Sequence, residues 1–99
     1  LQDEIYRLHG DEHAILLHNV TPSLLMQIAE RVRTAVEKAT FEYNGQSKSL
    51  TTSIGGTMVV KDLGVTGNIK SADIGLYKAK DQGKNRTNIV QQDIETKAA

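Results

Sequence analysis

The chain contains 99 residues, and its 12 basic and 12 acidic side chains give a formal net charge of zero at pH 7. This length fits one domain or part of one, and the balanced charge argues against a general binder of nucleic acid or membrane surfaces. Because the sequence has no cysteine, disulfides and thiolate metal sites are excluded. No apolar run approaches the roughly 20 residues of a membrane-spanning helix, and no signal peptide is recognisable.

The first predicted elements form a β-hairpin. Residues 3–8 alternate between apolar and polar side chains, Gly10 suits a turn, and residues 12–18 are mostly apolar and predict a largely buried second strand. The hairpin tip carries two adjacent acids, Asp11 and Glu12. Considered alone, these acids have two explanations: a solvated polar turn, or a metal-dependent phosphate site.

An amphipathic helix is predicted next. Thr21 followed by Pro22 is a favourable helix start, since threonine caps the first turn and proline suits the first helical position. Apolar side chains then recur at helical spacing from Leu24 to Ala39. The pattern predicts one long helix whose apolar face packs on a core.

Two glycine signals organise the following segment. Asn44 and Gly45 predict a tight hairpin turn between arms at residues 41–43 and 49–60, because both residue types tolerate positive φ. Gly55 and Gly56 interrupt the second arm, which indicates either a bulge or the close approach of another group to the backbone.

The last third of the chain predicts a loop, a helix and a strand. Residues 61–70 are assigned to the loop, residues 71–82 to a helix capped by Gly83, and residues 87–90 to the strand. The resulting order, β-β-α-β-β-α-β, predicts an α+β fold with helices packed on a mostly antiparallel sheet.

Three stretches, RLHGDEHAILL, TTSIGG and SADIGLYKAKDQGKNR, together resemble the GGDEF family of diguanylate cyclases. The family's signature is a Gly-Gly-Asp/Glu-Glu-Phe turn on a hairpin. The resemblance implies a nucleotidyl-cyclase-like fold with a ferredoxin-like core. It further implies that residues 1–90 are the C-terminal portion of a GGDEF domain lacking the first strand and first helices, and that residues 91–99 form a polar tail or linker.

The resemblance also implies a reaction, in which two GTP molecules give cyclic di-GMP and two pyrophosphates. The expected cofactor is Mg²⁺ or Mn²⁺, and the expected partners are GTP or cyclic di-GMP and a second GGDEF domain in a homodimer. No nucleic acid and no membrane contact are expected for this segment. The parent is expected to be a cytoplasmic signalling protein, with any membrane anchor located in another domain.

Site residues carried over from the family fall into three groups. Asp11 and Glu12 correspond to the catalytic, metal-binding acids of the signature. Asp3 corresponds to one half of a product-inhibition pair whose arginine would precede Leu1. The nucleotide-binding positions are His9, Gly10, Lys80 and Lys84. The two lysines also have a simpler explanation, because cations near a helix C-terminus complement the helix dipole. Arg7 and Asp73 match further family positions.

The signature is altered at two positions. His9 stands where the family has its first glycine, and His13 replaces the phenylalanine. A dedicated histidine metal pair is disfavoured, because the two rings lie on a predicted hairpin with no evident third ligand. At position 84 the family favours arginine, whereas lysine acts as a point charge without a bidentate fork.

Three functions are consistent with these residues. The favoured one is a degenerate GGDEF domain, regulatory or nucleotide-binding, because His9 and His13 both break the signature. The second is an active diguanylate cyclase when the full-length parent is intact, and the third is a domain that only mediates dimerisation or other interactions. The 99 residues alone are expected to be inactive, since the family's first-strand aspartate and base-recognising helices are missing from them.

Overall fold

The structure is a computed structural model that describes residues 3–92. The strands are β1 (Glu4–His9), β2 (Glu12–Leu16), β3 (Thr40–Tyr43), β4 (Gln46–Ser49), β5 (Ile54–Thr57) and β6 (Thr87–Val90). The helices are α1 (Pro22–Lys38) and α2 (Gly64–Asp81), with a single 3-10 turn at Lys61–Leu63. The predicted α+β class is confirmed. Most of the predicted polar tail, residues 93–99, lies outside the described residues.

The strands form three two-stranded sheets. β1 pairs with β2 and β3 pairs with β4, both antiparallel, whereas β5 pairs with β6 in parallel. The first pair is the predicted hairpin, and the second pair has the predicted turn with a different second arm. Asn44 and Gly45 have φ values of 53° and 76°, as the predicted tight turn between β3 and β4 requires.

Helix α1 begins as the sequence predicts. The Thr21 hydroxyl accepts a hydrogen bond of 3.1 Å from the backbone N–H of Leu24, and Pro22 occupies the first helical position. The helix ends at Lys38, followed by Ala39 in an extended conformation. The Thr21 cap at the start of the helix satisfies one of the backbone donors that every helix N-terminus leaves without an intrahelical partner.

The β5–β6 sheet lies between the two helices, and glycines let them approach it. A Cβ atom at Gly55 would lie 2.1 Å from the backbone nitrogen of Leu76 in α2. A Cβ atom at Gly56 would instead meet Ile89 at 2.8 Å and Leu25 of α1 at 4.0 Å. Because successive strand residues face opposite sides of a sheet, α2 covers one face and α1 the other. The close-approach explanation for these glycines is confirmed.

Helix α2 contributes its own small residues to this contact. A Cβ atom at Gly75 would lie 2.7 Å from the Asn88 carbonyl oxygen and 3.3 Å from the Cα atom of Gly55. Ala79, one turn further on, is completely buried. The backbone of α2 therefore rests almost directly on β5, and this contact fixes the helix that carries Lys80.

The predicted loop at residues 61–70 is wrong, because α2 already begins at Gly64. Asn68 stabilises this early start. Its amide nitrogen donates to the carbonyl oxygens of Val60 at 2.9 Å and Gly64 at 2.6 Å, and its amide oxygen accepts from the Val60 N–H at 2.8 Å. These bonds tie the first turn of α2 to the chain leaving β5.

The predicted long arm at residues 49–60 is also wrong. Only Gln46–Ser49 pairs with β3, and Ile54–Thr57 is a separate strand whose partner is β6, with Ile54 opposite Thr87. The observed order is therefore β-β-α-β-β-β-α-β, one strand more than predicted. The second strand of the first hairpin is not buried as predicted, since Ile15 is 49% exposed.

Candidate functional site

The first candidate site is the tip of the β1–β2 hairpin. Arg7 lies opposite His13 and His9 opposite Glu12, with a bulge between Arg7 and His9, so that Gly10 and Asp11 form the turn. Gly10 has a φ of +53°, the left-handed region that favours glycine. No atom lies within 4 Å of the position a Cβ would take there, so the conformation and not the space calls for glycine.

Arg7 closes this turn. Its Nε and Nη2 atoms donate hydrogen bonds of 3.2 and 3.1 Å to the carbonyl oxygen of Gly10. A bifurcated contact from one guanidinium restrains the turn against the preceding strand. Arg7, two residues before the signature, thus supports the tip that presents the two acids.

The two acids differ in their surroundings. Asp11 is exposed, and within residues 3–92 its carboxylate has no hydrogen bond or ion pair. The Glu12 side chain is 24% exposed, and its Oε1 atom lies 3.7 Å from Nε2 of His9. The imidazole of His9 therefore occupies space beside one of the two acids that the family resemblance predicts to bind metal.

The tip supplies two carboxylates, Asp11 and Glu12, with the His9 ring beside Glu12. Among residues 3–92, no group of three or more histidine, cysteine, aspartate or glutamate side chains is placed to hold a metal ion. Mg²⁺ is commonly bound through one or two carboxylates together with substrate phosphates and water. The chemistry of Asp11 and Glu12 fits that mode and does not fit a metal site built from protein ligands alone.

The base of the hairpin is closed by a separate polar cluster. The Asp3 carboxylate accepts a 3.0 Å hydrogen bond from the backbone N–H of His18, and the Glu4 carboxylate lies 3.4 Å from the His18 ring. Glu4 also accepts from the Tyr6 hydroxyl. This bond, followed by the His18 contact, lowers the pKa of the Glu4 carboxyl, and the Glu4–Tyr6 bond raises the pKa of Tyr6. Asp3 thus helps close the hairpin, and its place in an inhibition site stays a prediction.

The second candidate cluster lies at the C-terminus of α2. Gly83 has a φ of +120°, its N–H donates to the Lys80 carbonyl at 3.3 Å, and the N–H of Lys84 donates to the Ala79 carbonyl at 2.9 Å. This pattern is a Schellman ending, with the predicted glycine in its place. Lys80 and Lys84 are exposed, and neither side chain has an acidic partner among the described residues.

Within residues 3–92, no hydrogen bond or ion pair joins the hairpin tip to the two lysines. β1 and β2 contact mainly each other, whereas α2 packs on β5 and β6. A cavity of about 220 Å³ separates the end of β2 from the end of β5. Its apolar lining includes Ile15, Leu16, Leu25, Met58 and Val59.

Sequence reasoning missed one polar cluster, beside Lys84. Arg33 of α1 donates to both oxygens of Glu30 at 2.9 and 2.8 Å, and through Nη1 to the amide oxygen of Asn85 at 2.9 Å. The amide nitrogen of Asn85 donates to Glu37 at 2.6 Å. The Arg33 bonds lower the pKa of Glu30 from its ordinary 4.5 to about 2. Helical spacing indicates the Glu30–Arg33–Glu37 group, but nothing in the sequence indicates Asn85.

No helix in the described part of the chain is both long and apolar enough to cross a membrane.

Residues 1–86 match the family model described as diguanylate cyclase, GGDEF domain. The chain is 33% identical over 93 residues to diguanylate cyclase A of Treponema denticola, covering 93% of this chain and 25% of that protein.

Two further relatives are similar. The chain is 35% identical over 88 residues to diguanylate cyclase DosC of Escherichia coli, covering 88% of this chain and 19% of that protein. It is 37% identical over 86 residues to the uncharacterised protein YhcK of Bacillus subtilis, covering 85% of this chain and 24% of that protein. The chain therefore spans a quarter or less of the length of these relatives.

Proposed function

Because the chain belongs to the GGDEF family of diguanylate cyclases, we propose that its residues 1–90 are the C-terminal portion of a domain that binds GTP with Mg²⁺ but has lost efficient turnover. In this proposal the domain has a regulatory role that depends on nucleotide binding. It acts in the cytoplasm beside a second GGDEF domain.

One observation carries the nucleotide-binding part. The exposed Asp11 carboxylate has no partner among residues 3–92, and it stands on a turn fixed by the positive φ of Gly10 and by the Arg7 hydrogen bonds. A fixed carboxylate is suited to a cation that arrives together with a triphosphate.

Asp11 and Glu12 would hold the divalent ion, which when bound neutralises negative charge on the triphosphate. The task of the protein is then to position the nucleotide and to provide positive charge around its phosphates. Lys80 and Lys84 are suited to this, because both are exposed and lack acidic partners in the described structure. Each provides a point charge without a bidentate fork, which gives attraction with little control of phosphate orientation.

The loss of turnover rests on the two histidines. The His9 ring replaces a glycine hydrogen next to the turn, and its Nε2 atom lies 3.7 Å from the Glu12 carboxylate. It therefore competes with the ion for that carboxylate and adds bulk where the family's backbone approaches the nucleotide. His13, opposite Arg7, replaces the family's apolar anchor with a polar ring.

An active cyclase is the second candidate, because two relatives named diguanylate cyclase are 33% and 35% identical and the Arg7-supported turn is intact. Turnover by the full-length protein would then form cyclic di-GMP between two such domains. This alternative requires that His9 swings away from Glu12 when the nucleotide binds.

The fold also supports the proposal that the domain includes a further strand. β2 pairs only with β1 and β5 only with β6 among the described strands, so each has a free edge. The apolar cavity lies between the ends of these two strands. A strand from another part of the protein, placed there, would pair with both edges and cover apolar residues such as Ile15.

Nucleotide binding is tested by titrating the full-length protein with GTP in the presence of Mg²⁺. Glu12→Gln should weaken binding about tenfold or more, since it removes one charged ligand, whereas Glu42→Gln on the exposed β3 strand should not. Equal affinities of the two variants, or no binding by the unmodified protein, would refute the proposal.

Turnover is tested by restoring the signature. The double substitution His9→Gly and His13→Phe should convert a protein that binds GTP without product into one that forms cyclic di-GMP. Efficient product formation by the unmodified full-length protein would favour the active alternative instead.

A further inference from the structure

The two residues after the α2 ending adopt an unusual backbone. Lys84 and Asn85 have φ values of +65° and +50°, so two consecutive residues that are not glycine are left-handed. Such a conformation persists only where the surrounding structure holds it. Lys84 is also one of the two lysines proposed to contact phosphate. The contacts that hold this turn therefore determine where that lysine lies.

Backbone contacts hold the turn on two sides. The Lys84 N–H donates to Ala79 in α2, and the Asn85 N–H donates to the Ser53 hydroxyl at 3.2 Å. The Arg86 carbonyl oxygen accepts from the Ile54 N–H at 3.0 Å, which joins the turn to β5. These bonds fix the two ends of the turn but leave the Asn85 side chain to be held by something else.

Helix α1 supplies that third contact. The Arg33 Nη1 atom donates to Oδ1 of Asn85 at 2.9 Å, while Nδ2 of Asn85 donates to Glu37 at 2.6 Å. Arg33 is itself oriented by the two bonds to Glu30, and its side chain is only 16% exposed. Both ends of the Asn85 amide are thus bound by charged groups one turn apart on α1.

We infer that Arg33 is a positioning residue, which holds the Lys84 turn in its left-handed conformation through Asn85. The inference rests on the proposed function for its consequence, namely that Lys84 is displayed in one orientation toward the phosphates of GTP. A lysine at position 33 could not replace it, since the guanidinium fork bonds Glu30 and Asn85 with different nitrogen atoms.

The effect of Arg33 on the conformation of the Lys84 turn is tested by amide hydrogen exchange in the full-length protein without nucleotide. Arg33→Gln should speed exchange of the Lys84 and Asn85 amides about tenfold, and Arg33→Lys should not restore protection. Asn85→Gly should have the same effect, because glycine keeps the positive φ and removes only the side-chain contacts. Arg31→Gln is the matched control, since the exposed Arg31 lies on the same helix and its side chain has no bond within the described residues.

The functional part is tested by a double-mutant cycle on GTP–Mg²⁺ affinity. Arg33→Gln should weaken binding about tenfold in the unmodified background and have almost no effect when Lys84→Ala is already present. Equal losses in both backgrounds would overturn the positioning role, because Arg33 would then act independently of Lys84.

The two proposals fail in different ways. Unchanged exchange of the Lys84 and Asn85 amides in Arg33→Gln refutes the positioning inference, whatever the affinity for GTP. If exchange is faster in Arg33→Gln but neither the unmodified protein nor any variant binds GTP, the link from Arg33 to the Lys84 turn is supported and the proposed nucleotide site is refuted.

Discussion

Replacing Gly55 by alanine should push α2 away from the sheet. The new Cβ would lie 2.1 Å from the Leu76 nitrogen, 2.2 Å from the Ala72 carbonyl oxygen and 2.7 Å from the Leu76 Cα, all of them backbone atoms that cannot turn aside. Real Cβ atoms essentially never come within 3.0 Å of another heavy atom, so α2 must retreat by about 1 Å. Overpacking of this kind costs about 1–3 kcal/mol, and the rigid neighbours place Gly55→Ala near the upper end.

Gly56→Ala is the matched control on the same strand. Its Cβ would meet only the Cδ1 atom of Ile89 within 3.0 Å, and the end of that flexible side chain can move. Because alanine is also about 0.5–1 kcal/mol better than glycine inside a strand, the net change should be close to zero. Urea denaturation of the full-length protein, combined with amide exchange in α2, measures both variants. Equal stabilities for Gly55→Ala and Gly56→Ala would refute the close-packing account of β5.

Two further predictions concern α1. Glu30 has its pKa lowered to about 2 by Arg33, so its stabilising effect is complete above its ordinary pKa of 4.5 and is lost as the pH falls toward 2. Since the Glu30 side chain is 39% exposed, solvent screening limits this effect to about 1 kcal/mol. The free energy of unfolding of Glu30→Gln should therefore be lower than that of the unmodified protein at pH 7, and the two should be nearly equal near pH 2. Thr21→Ala removes the hydroxyl bonded to Leu24 and should cost about 1 kcal/mol, seen as faster amide exchange in the first turn of α1. An unchanged first turn would show that Pro22 alone starts the helix.

Short sequence signals predict the helix ends and turns whose structure depends on local interactions. The Thr21–Pro22 start of α1, the Asn44–Gly45 turn and the Gly83 ending of α2 all follow from backbone preferences over a few residues, and the structure confirms each. The α+β class follows from the alternation of such segments.

The sequence pattern fails where contacts outside the local segment determine the structure. Gly64 and Gly67 disfavour a helix by about 1 kcal/mol each, yet the bonds of Asn68 to Val60 hold the first turns of α2 in helical form. The sequence pattern joins residues 54–57 to the preceding hairpin arm, because their parallel partner at residues 87–90 lies some thirty residues away.

The candidate site is a prediction from the family resemblance and not from pattern alone. Adjacent acids at a turn are common, and only the agreement of three motifs predicts a role for Asp11 and Glu12. The contact between His9 and Glu12 and the link from Arg33 to Asn85 are side-chain contacts that no spacing rule provides. Contacts across 52 residues, such as the second of these, need coordinates.

The most direct test of the account is to incubate the full-length protein with GTP and Mg²⁺ and to measure bound nucleotide and cyclic di-GMP in the same sample. We expect that GTP binds, that binding is lost in Asp11→Ala, and that little or no cyclic di-GMP forms. Rapid formation of cyclic di-GMP that disappears in Asp11→Ala would contradict the loss of turnover, and GTP binding unaffected by Asp11→Ala would contradict the assignment of the site to the hairpin tip.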